Sequence, residues 1–456
     1  MSDNKNFDPL RDFDELIQLL LEENIEYFRE KFFDLHPYDQ AKFFVKLDKN
    51  VRMLLYRFLS PKEMAAIFEN IEIEEEDYQR ILSEMNPSFA ANMLAEMYAD
   101  DAVDVLNEID KDQAASYLTI MDDESAGEIK ELLHYEESTA GSIMTTEFIA
   151  IHANQTVRSA MHILKKEAPR AETIYYVYVI NEEKQLVGVI SLRDLIISHD
   201  ETMIADMMYD RVLAVSVAED QEEVARKMKD YNFLAVPVVD FRNHLLGIIT
   251  VDDIMDVMDE EASEDYSKLA AISDVDSFDK NPLTAARKRL PWLIILLFLG
   301  MMTANLIGKF EKTLEQVAIL AMFIPLIAGM AGNTGTQALA VAVRGIATGE
   351  HEHENKWKLL IREAGTGLIT GVTCGVLVTI IVYFWQHNIF LGILVGLSIL
   401  ATLIVATIAG ALVPLIMHRL KIDPAVASGP FITTINDILS ILIYFGMATL
   451  FMSYLL

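Results

Sequence analysis

One carboxylate stands alone in a long apolar segment near the C-terminal end of the sequence. Asp437 is the only acidic residue between Ala425 and Leu456. A charged side chain at bilayer depth is costly, so it normally faces a bundle interior or a water-filled path and marks an ion or proton route. The alternative is a structural carboxylate that bonds to neighbouring helices. We therefore take Asp437 as a candidate pore residue and ask what surrounds it.

The residues before Asp437 indicate which ion such a path would suit. Gly429 and Thr433 precede it at i, i+4 spacing, which places the three residues on one helix face. Gly429-Pro430 also opens the segment in a way that we expect to leave backbone carbonyls free. Mg²⁺ keeps most of its water, so one carboxylate plus hydroxyl or backbone oxygens suffices. A softer metal would need imidazole or thiolate, which this helix lacks.

A second polar set lies about a hundred residues earlier, in IPLIAGMAGNTGTQALA. Glycines at 329, 332 and 335 permit close helix packing, and the polar side chains between them can hydrogen-bond across the contact. Those side chains are Asn333, Thr334, Thr336 and Gln337. Packing is the expected role of most of this set, with a few members facing the path.

The run 251–265 is the third chemical feature, with eight acidic residues and no basic one. Like charges at this spacing destabilise a helix unless cations or partner charges neutralise them. Asp100 and Asp104 form another i, i+4 acidic pair that can face the same zone. The run predicts cation sensing, and the alternative is a solvated helix face.

Charge is distributed unevenly along the 456 residues. The stretch from Leu290 onward holds eight basic and eight acidic residues, so the whole net charge of −32 lies in residues 1–289. Such an acidic region disfavours nucleic-acid binding and suits metal cations or basic partners. Cys374 is the only cysteine, which excludes a disulfide and a thiol-rich metal site. The first ten residues, MSDNKNFDPL, do not resemble a signal peptide, so we expect a cytosolic start.

Two internal repeats organise the acidic region. Residues 7–135 read as helix, and from residue 82 leucines recur every twelve residues, at 82, 94, 106 and 118. Units this short cannot bury their own faces, so we expect a small superhelix of stacked helices, with an ordinary helical bundle as the alternative. Residues 136–258 hold a longer repeat, in which Ile174–Ile196 aligns with Phe233–Met255 at a shift of 59.

Each copy of the longer repeat reads as strand, turn, strand and helix, with Gly188 and Gly247 at equivalent places. This pattern resembles a tandem pair of cystathionine-β-synthase-type (CBS) domains. The resemblance implies that an Asp near the start of the last helix, here Asp194 or Asp253, binds a nucleotide ribose. Arg193 and Tyr176 would then serve phosphate and base, unless the cleft is only structural.

Residues 259–289 form a polar connector, and five apolar segments follow it. They run roughly over 291–308, 316–347, 358–385, 389–417 and 425–453. Each is long enough to span a hydrocarbon core of ~30 Å. Basic residues gather before the first segment and in the loops after the second and fourth, so the positive-inside rule predicts a cytosolic N-terminus and an outside C-terminus.

Together these motifs resemble the MgtE-type magnesium channel and transporter family. The resemblance rests on YEESTAGSIMTTEF (135–148), the paired CBS domains, GNTGTQ (332–337) and DPAVASGPFITTINDILSILIY (423–444). It implies a homodimer with one pore at the dimer interface, hydrated Mg²⁺ near the two copies of Asp437, and closure when cytosolic Mg²⁺ binds. The sensing carboxylates it implies are Asp100, Asp104, Glu222, Asp253, Asp256, Glu261, Glu264 and Asp265.

This sequence departs from the family pattern at two positions. Asn232 stands where some members have Asp, which implies a weaker sensor site there. Gly429 stands where some members have Asn at the pore mouth, which puts the selectivity at that point in question.

The sequence thus predicts a multidomain membrane protein. Its domains are an α-helical superhelix over 1–135, an α+β pair of CBS domains over 136–258, a connecting "plug" helix over 259–289 and a five-helix transmembrane domain over 290–456. We expect a magnesium-selective channel of the inner or plasma membrane, driven by the membrane potential and closed by cytosolic Mg²⁺, with ATP as a second ligand.

Two other functions stay open: a proton-coupled divalent cation transporter and a membrane receptor that relays a CBS signal. An enzyme is not expected, because the sequence has no Walker A, HExxH or GxSxG pattern. We interpret His351-Glu352-His353-Glu354 as a solvated loop rather than a metal site.

Overall fold

The computed structural model describes residues 9–71, 73, 75–272, 282–347, 356–424 and 427–452. The chain divides into two compact units, Met1–Met258 and Asp259–Leu456, and each is described by itself. The tetrad at 351–354 and part of the predicted connector, 273–281, lie outside the described residues.

Short helices build the N-terminal part of the first unit. They are α1 Pro9–Leu21, α2 Ile25–Phe32, α3 Pro37–Lys46, α4 Lys49–Phe58, α5 Pro61–Phe68, α6 Glu75–Glu84, α7 Pro87–Leu94, α8 Ala99–Asn107, α9 Lys111–Ile120 and α10 Asp123–Leu132. From α3 onward each helix begins twelve residues after the one before it, except α6, which begins fourteen residues after α5. The twelve-residue repeat therefore starts earlier than the leucine spacing alone indicates.

Capping side chains mark most of these helix starts. Asp48, Asn86, Asp110 and Asp122 each accept a backbone N–H of the following first turn, which satisfies a donor that the helix leaves unpaired. Tyr98, before α8, makes no such bond. The repeat thus loses its capping residue at the one helix whose first turn carries Asp100 and Asp101.

The leucines of the repeat lie inside, since Leu82 and Leu94 are fully buried and Leu106 nearly so. Their core continues without a break into side chains of the second CBS copy, among them Val236 and Ile254. The helical part and the second copy therefore share one hydrophobic core.

Each CBS copy contains one three-stranded sheet. The first has β1 Ala150–His152, β2 Tyr176–Ile180 and β3 Leu186–Ser191, with α11 Val157–Glu167 and α12 Leu192–Ile197; the second has β4 Val215–Ser216, β5 Ala235–Val239 and β6 Leu245–Thr250, with α13 Gln221–Tyr231 and α14 Val251–Leu269. The first strand of each sheet pairs parallel with the second, which pairs antiparallel with the third. Tyr176 pairs with Ser191 and Ala235 with Thr250, so the shift of 59 is also a structural equivalence.

The segment that leads into the first copy is bonded to the second. Gly141 N–H donates to the Val217 carbonyl, and Thr145 exchanges backbone hydrogen bonds with Ile248. Gly247 permits this, because a β-carbon there would lie 2.5 Å from the Thr145 carbonyl oxygen. The motif 135–148 therefore fixes the end of the helical part to the second copy.

The second unit contains the end of α14 and five long apolar helices or helical spans. Its further elements are α15 Pro282–Gly308, α16 Glu311–Gln316, a 3-10 turn Ala318–Phe323, α17 Ile324–Ala347, α18 Lys356–Gln386, α19 Ile389–Arg419 and α20 Gly429–Leu450. Among the residues that the structure describes, five spans are long and apolar enough to cross a membrane, which agrees with the predicted number. Helices α17, α18 and α20 pack on α19, and α15 packs on α20.

Candidate ion path and cation sites

Asp437 lies in the middle of α20 with a half-buried side chain. Its carboxylate takes part in no hydrogen bond or ion pair with the residues that the structure describes. Ser440 Oγ–H donates to its backbone carbonyl at 2.8 Å. A carboxylate at this depth needs a cation, a proton or water as its partner. Asp437 therefore has the surroundings of an ion-contacting residue, and its role there stays a prediction.

Thr433 lies one turn earlier, where α20 crosses α17. A β-carbon on Gly332 would lie 2.6 Å from the Thr433 methyl carbon, and the hydroxyls of Thr336 and Thr433 lie 3.4 Å apart. Gly332 thus has the packing role expected of it, while Gly329 has open space around it. The GNTGTQ motif brings a second hydroxyl to the face that holds Thr433.

The expectation of free carbonyls at the start of α20 is wrong for two residues. Thr433 Oγ1 donates to the Gly429 carbonyl at 2.8 Å, and Thr434 Oγ1 donates to the Pro430 carbonyl at 2.9 Å. Threonine hydroxyls in a helix commonly bond back one turn in this way. Inside the helix each of these carbonyls also accepts the backbone N–H four residues further on, so neither is free for an ion or its water.

Asn436 is a polar residue of the same helix that the sequence analysis did not single out. It is 1% exposed, and both amide atoms lack a partner among the described residues. A β-carbon on Gly335 would lie 1.8 Å from its amide nitrogen, so only glycine fits there. Gly335 therefore makes room for the buried amide of Asn436, the residue that directly precedes Asp437.

In the first unit, the start of α8 and the start of α14 bring carboxylates together. Asp253 Oδ2 accepts from Thr250 Oγ1 at 2.5 Å and from Thr250 N–H at 3.1 Å, which fixes the first turn of α14. Asp100 is 6% exposed, and its Oδ1 has no partner among the described residues. The charge of Asp253 acts on Asp100 and on Asp101. Asp100 and Asp253 are thus neighbours, as the sequence analysis expected.

Burial dominates the electrostatics of this group. It raises the pKa of Asp101 to about 8, with further contributions from Glu69 and Asp253. Burial also raises the pKa of Asp100 well above its usual range, and raises that of Asp253. A carboxylate taken out of water among like charges favours its neutral form unless a cation joins it. The group is therefore unfavourable when fully ionised and empty.

Glu172 belongs to this group, although nothing in the sequence pointed to it. It lies between α11 and β2 of the first copy, and its carboxylate oxygen, with those of Asp252 and Asp253, forms a set whose members lie within 4.8 Å of one another. Burial, and then the charge of Asp253, raise the pKa of Glu172 to about 7.

Asp104 and Asp256, two more of the predicted sensor residues of the first unit, lie beside this group. Asp104 adds its charge to Asp101, and Asp256 adds its charge to Asp253. Glu222 is exposed in the first turn of α13. Asn232 ends that helix with φ 55°, a left-handed conformation that asparagine tolerates better than most residues. The helix end thus gives a local reason for Asn at that position.

In the second unit, the last turns of α14 hold Glu264, Asp265 and Lys268. Lys268 pairs with Glu264 and, at 2.5 Å, with Asp423 in the loop before α20. Burial and then the charge of Asp423 raise the pKa of Asp265 to about 6. Leu269 packs with Ala427 and Ile432 at the start of α20. Glu261, one turn earlier, contributes its charge to Asp265. The predicted sensor residues at this end of α14 therefore lie beside the segment that begins the candidate path.

A cavity of about 550 Å³ lies in the first CBS copy, and two of the three predicted nucleotide residues line it. Its lining residues are Tyr175, Tyr176, Ser191, Leu192, Arg193, Ile196, Ile197 and Leu234. Asp194 is not one of these residues, but its carboxylate accepts from the hydroxyl of Ser191, which lines the cavity, at 2.7 Å. Aromatic rings, a guanidinium and a hydroxyl in one cleft suit a ligand with a flat ring and an anionic group.

Comparison with known proteins covers nearly the whole chain. The model of the MgtE intracellular N domain matches residues 35–138, the CBS domain model matches 140–199 and 204–260, and a model described as a divalent cation transporter matches 324–447. The magnesium transporter MgtE of Enterococcus faecalis is 58% identical over 96% of this chain and 97% of its own length. That of Bacillus subtilis is 43% identical over 96% and 98%.

Two solved structures resemble the first unit. The soluble part of a magnesium transporter is 57% identical, with a TM-score of 0.55, and covers 56% of this chain and 100% of its own. The cytosolic domain of the Mg²⁺ channel MgtE in complex with ATP is 35% identical, with a TM-score of 0.51, and covers 54% and 99%. With these relatives matched along nearly their whole length, the chain belongs to the MgtE family.

Proposed function

We propose that this protein transports Mg²⁺ passively across a membrane, with Asp437 holding the hydrated ion in the path. The observation that carries the proposal is an intramembrane carboxylate with no partner among the described residues, one turn from the Thr433 hydroxyl. Two relatives that match almost the entire chain are named magnesium transporters. Oxygen ligands alone, with room for water, are the environment that Mg²⁺ accepts.

The membrane potential supplies the driving force in this proposal. One elementary charge crossing 100 mV gains about 2.3 kcal/mol, so a divalent cation gains about twice that on entry. No nucleotide hydrolysis is needed for uptake. The loop charges orient the protein with its acidic N-terminal unit in the cytosol, where it meets the ion that has entered.

A homodimer with the path at its interface completes the ion site. One carboxylate per chain is a small ligand set, and two copies of Asp437 facing one another would supply two carboxylates to the hydration shell. Helix α15 has none of its 18-residue apolar window buried in a single chain, which leaves apolar surface for a second copy or for lipid.

Cytosolic Mg²⁺ closes the path through the carboxylates of α8 and α14. At low Mg²⁺ the charges of Asp100, Asp104, Asp253 and Asp256 repel one another, by about 4 kcal/mol for a pair at 4 Å and an effective dielectric of ~20. A bound Mg²⁺ ion bridges these carboxylates and removes their mutual repulsion. The end of α14, through Lys268 and Leu269, then acts on the loop and first turn of α20.

Nucleotide binding in the first CBS copy accompanies this role. The cavity lined by Tyr175, Tyr176 and Arg193 has the size and chemistry for an adenine nucleotide, and a related cytosolic domain has been solved with ATP. Asp194, held by Ser191, is the predicted ribose contact.

The path assignment is tested by Asp437→Asn in proteoliposomes. The substitution keeps the side-chain shape and removes the charge, so Mg²⁺ flux should fall to the level of empty vesicles while the purified protein elutes unchanged. Thr449→Val, a hydroxyl change three turns further along α20, should keep normal flux. Wild-type flux in Asp437→Asn would contradict the path. Wild-type flux that depends on a pH gradient would instead favour the proton-coupled transporter. A correctly folded wild-type protein that carries no Mg²⁺ flux would favour the receptor.

Gating is tested by neutralising Asp253, Asp256 and Asp265 together. We expect patch recordings to show a channel that conducts but needs at least ~10-fold more cytosolic Mg²⁺ to close, because an ion shifts the equilibrium only by its differential affinity for the two states. A control with the same change in net charge neutralises the exposed Glu26, Glu30 and Asp34. Closure of the triple variant at the wild-type concentration would rule out these carboxylates as the sensor.

A further inference from the structure

Helices α18 and α19 pack against one another as an antiparallel hairpin. A β-carbon on Gly367 would lie 2.8 Å from the Cα of Ile404, and one on Gly375 would lie 2.6 Å from the Gly396 carbonyl oxygen. Positions on α19 therefore fall as their partners on α18 rise. It follows that the start of α18 lies beside the end of α19, at the end of the hairpin away from its connecting loop.

Four exposed basic side chains occupy this end of the hairpin. Lys358 and Arg362 lie in the first turns of α18, and Arg419 and Lys421 lie at the last residue of α19 and just after it. None of the four forms an ion pair with the residues that the structure describes. Glu363, the acidic residue next to Arg362, is 7% exposed and lies in the helix packing. The outer surface therefore carries positive charge that suits an anionic ligand.

Exposed apolar side chains lead away from this charge along the hairpin. Ile361 and Ile369 of α18 are 70% exposed, and Ile416 of α19 is 47% exposed. Arg362 and Trp385 are 23 positions apart on α18, which is ~35 Å of helix and close to the thickness of a hydrocarbon core of ~30 Å. Trp385 is exposed, and tryptophan favours the interface between membrane and water. With Trp385 at one interface, Arg362 lies at the headgroup level of the other leaflet.

We propose that this end of the hairpin binds an anionic phospholipid, whose phosphate is held by Lys358 and Arg362 and whose acyl chains lie along Ile361 and Ile369. The i, i+4 spacing places the two basic residues one turn apart on the same helix face, so both can reach one phosphate. Arginine binds phosphate oxygens through two parallel N–H groups. Basic groups between membrane helices at the cytosolic surface bind anionic headgroups, and the orientation proposed above makes this end cytosolic.

The lipid site adjoins the loop that the end of α14 contacts. Lys421 lies two residues before Asp423, whose carboxylate accepts from Lys268 Nζ at 2.5 Å. A lipid phosphate near the basic residues of α19 would hold the end of that helix and the start of this loop. Lipid binding is thereby connected to the contact between α14 and the segment before α20. The site itself requires only that the hairpin lies in a membrane, and it does not rest on the ion path.

The test is native mass spectrometry of the full chain in detergent, titrated with phosphatidylglycerol or with zwitterionic phosphatidylcholine. The wild type should bind phosphatidylglycerol at least ~10-fold more tightly, because each basic residue near an anionic lipid contributes about fivefold in affinity. The double variant Lys358→Gln with Arg362→Gln should lose this preference and keep its binding of phosphatidylcholine. Lys309→Gln with Lys312→Gln, the same charge change at exposed residues between the first two spans, is the matched control and should keep the preference.

Further measurements separate a lipid site from its alternatives. Lys358→Arg with Arg362→Lys keeps both charges and should keep the preference for phosphatidylglycerol. Equal affinity of the wild type for the two lipids, or an unchanged preference in the double glutamine variant, would overturn the site. Displacement of the lipid by an equal concentration of glycerol phosphate would show a site for soluble phosphate instead. A lower oligomeric mass of the double glutamine variant without lipid would show that this face contacts a second copy. Mg²⁺ flux is not read in any of these measurements, so they fail or succeed independently of the proposed ion path.

Discussion

The two CBS copies share a backbone design and differ in the charge placed upon it. In the first, Ser191 Oγ donates to Asp194 Oδ2 at the start of α12; in the second, Thr250 Oγ1 donates to Asp253 Oδ2 at the start of α14. The residue before each aspartate is Arg193 in one copy and Asp252 in the other. Both copies thus keep the hydrogen bond between a hydroxyl and an aspartate, while the charge of the residue before the aspartate is positive in the first copy and negative in the second.

That single change in charge has a large consequence for ligand class. The first copy has a cavity of about 550 Å³ with a guanidinium in its wall, whereas the second has a set of crowded carboxylates. Arginine suits phosphate and carboxylate oxygens suit hard cations. On the functions proposed above, one fold repeated twice serves as an anion site in the first copy and a cation site in the second, where Glu172 of the first copy lies beside Asp252 and Asp253.

The largest effect should come from giving the first copy the charge of the second. Arg193→Asp replaces the phosphate partner by a repelling carboxylate, so ATP affinity should fall by at least ~10–100-fold, the equivalent of ~1.5–3 kcal/mol for one hydrogen bond to a charged group. Calorimetry on the full chain measures it. Arg211→Asp, an exposed charge change between the copies, should leave ATP binding intact. Unchanged affinity in Arg193→Asp would return the cavity to a structural role.

Sequence reasoning found the residues that carry a local pattern. Asp437 was visible because one charge interrupts an apolar segment, and the copies because 59-residue spacing aligns strands that indeed pair in equivalent register. The five apolar spans followed from length and hydropathy, and the helical repeat from its leucines.

Residues brought in by tertiary contact were missed. Glu172 is one glutamate in a loop, and Asp101 was passed over because i, i+4 spacing favours Asp100 with Asp104. Lys268, which the sequence analysis did not consider, pairs with Asp423, 155 positions away. The carbonyls of Gly429 and Pro430 were expected to be free, but the hydroxyls of Thr433 and Thr434 donate to them. Those bonds depend on the side-chain rotamers of the two threonines, which the sequence does not show. Sequence spacing carries none of this information.

A smaller effect should appear when pH is changed in the absence of metal. Asp101 and Glu172 have pKa values raised to about 8 and about 7, from 3.8 and 4.5. Between the unfolded and folded values the folded state binds more protons, so the free energy of unfolding falls as pH rises across that window. The thermal midpoint of the metal-free chain should therefore drop from pH 5.5 to pH 8.

Saturating Mg²⁺ should flatten this dependence, because the bound ion holds the carboxylates ionised at either pH. Asp101→Asn should also reduce the slope in metal-free buffer. The nucleotide cavity of the first copy, whose wall carries Arg193, should contribute little to it. A midpoint that rises between pH 5.5 and pH 8 without metal would show that these carboxylates are not held in a disfavoured ionised state.

The smallest effect compares two equivalent glycines. A β-carbon at Gly188 would lie 2.5 Å from Met208 Sδ, at the end of a flexible side chain, whereas one at Gly247 would lie 2.5 Å from the Thr145 backbone oxygen. Gly247→Ala should therefore destabilise by about 1–3 kcal/mol and Gly188→Ala by less, because methionine can move aside and a paired backbone cannot.

Thermal unfolding of the two alanine variants, with and without Mn²⁺, sharpens this comparison. Thr145 pairs with Ile248 and donates its hydroxyl to Glu147, whose carbonyl holds Glu172 N–H. Displacing Thr145 should therefore disturb the carboxylates proposed to sense the cation as well as the sheet, so Gly247→Ala should also lose part of the stabilisation by a divalent cation such as Mn²⁺. Gly188→Ala should keep it. Equal losses of stability and of metal stabilisation in the two variants would show that the segment 135–148 does not hold Glu172 beside the second copy.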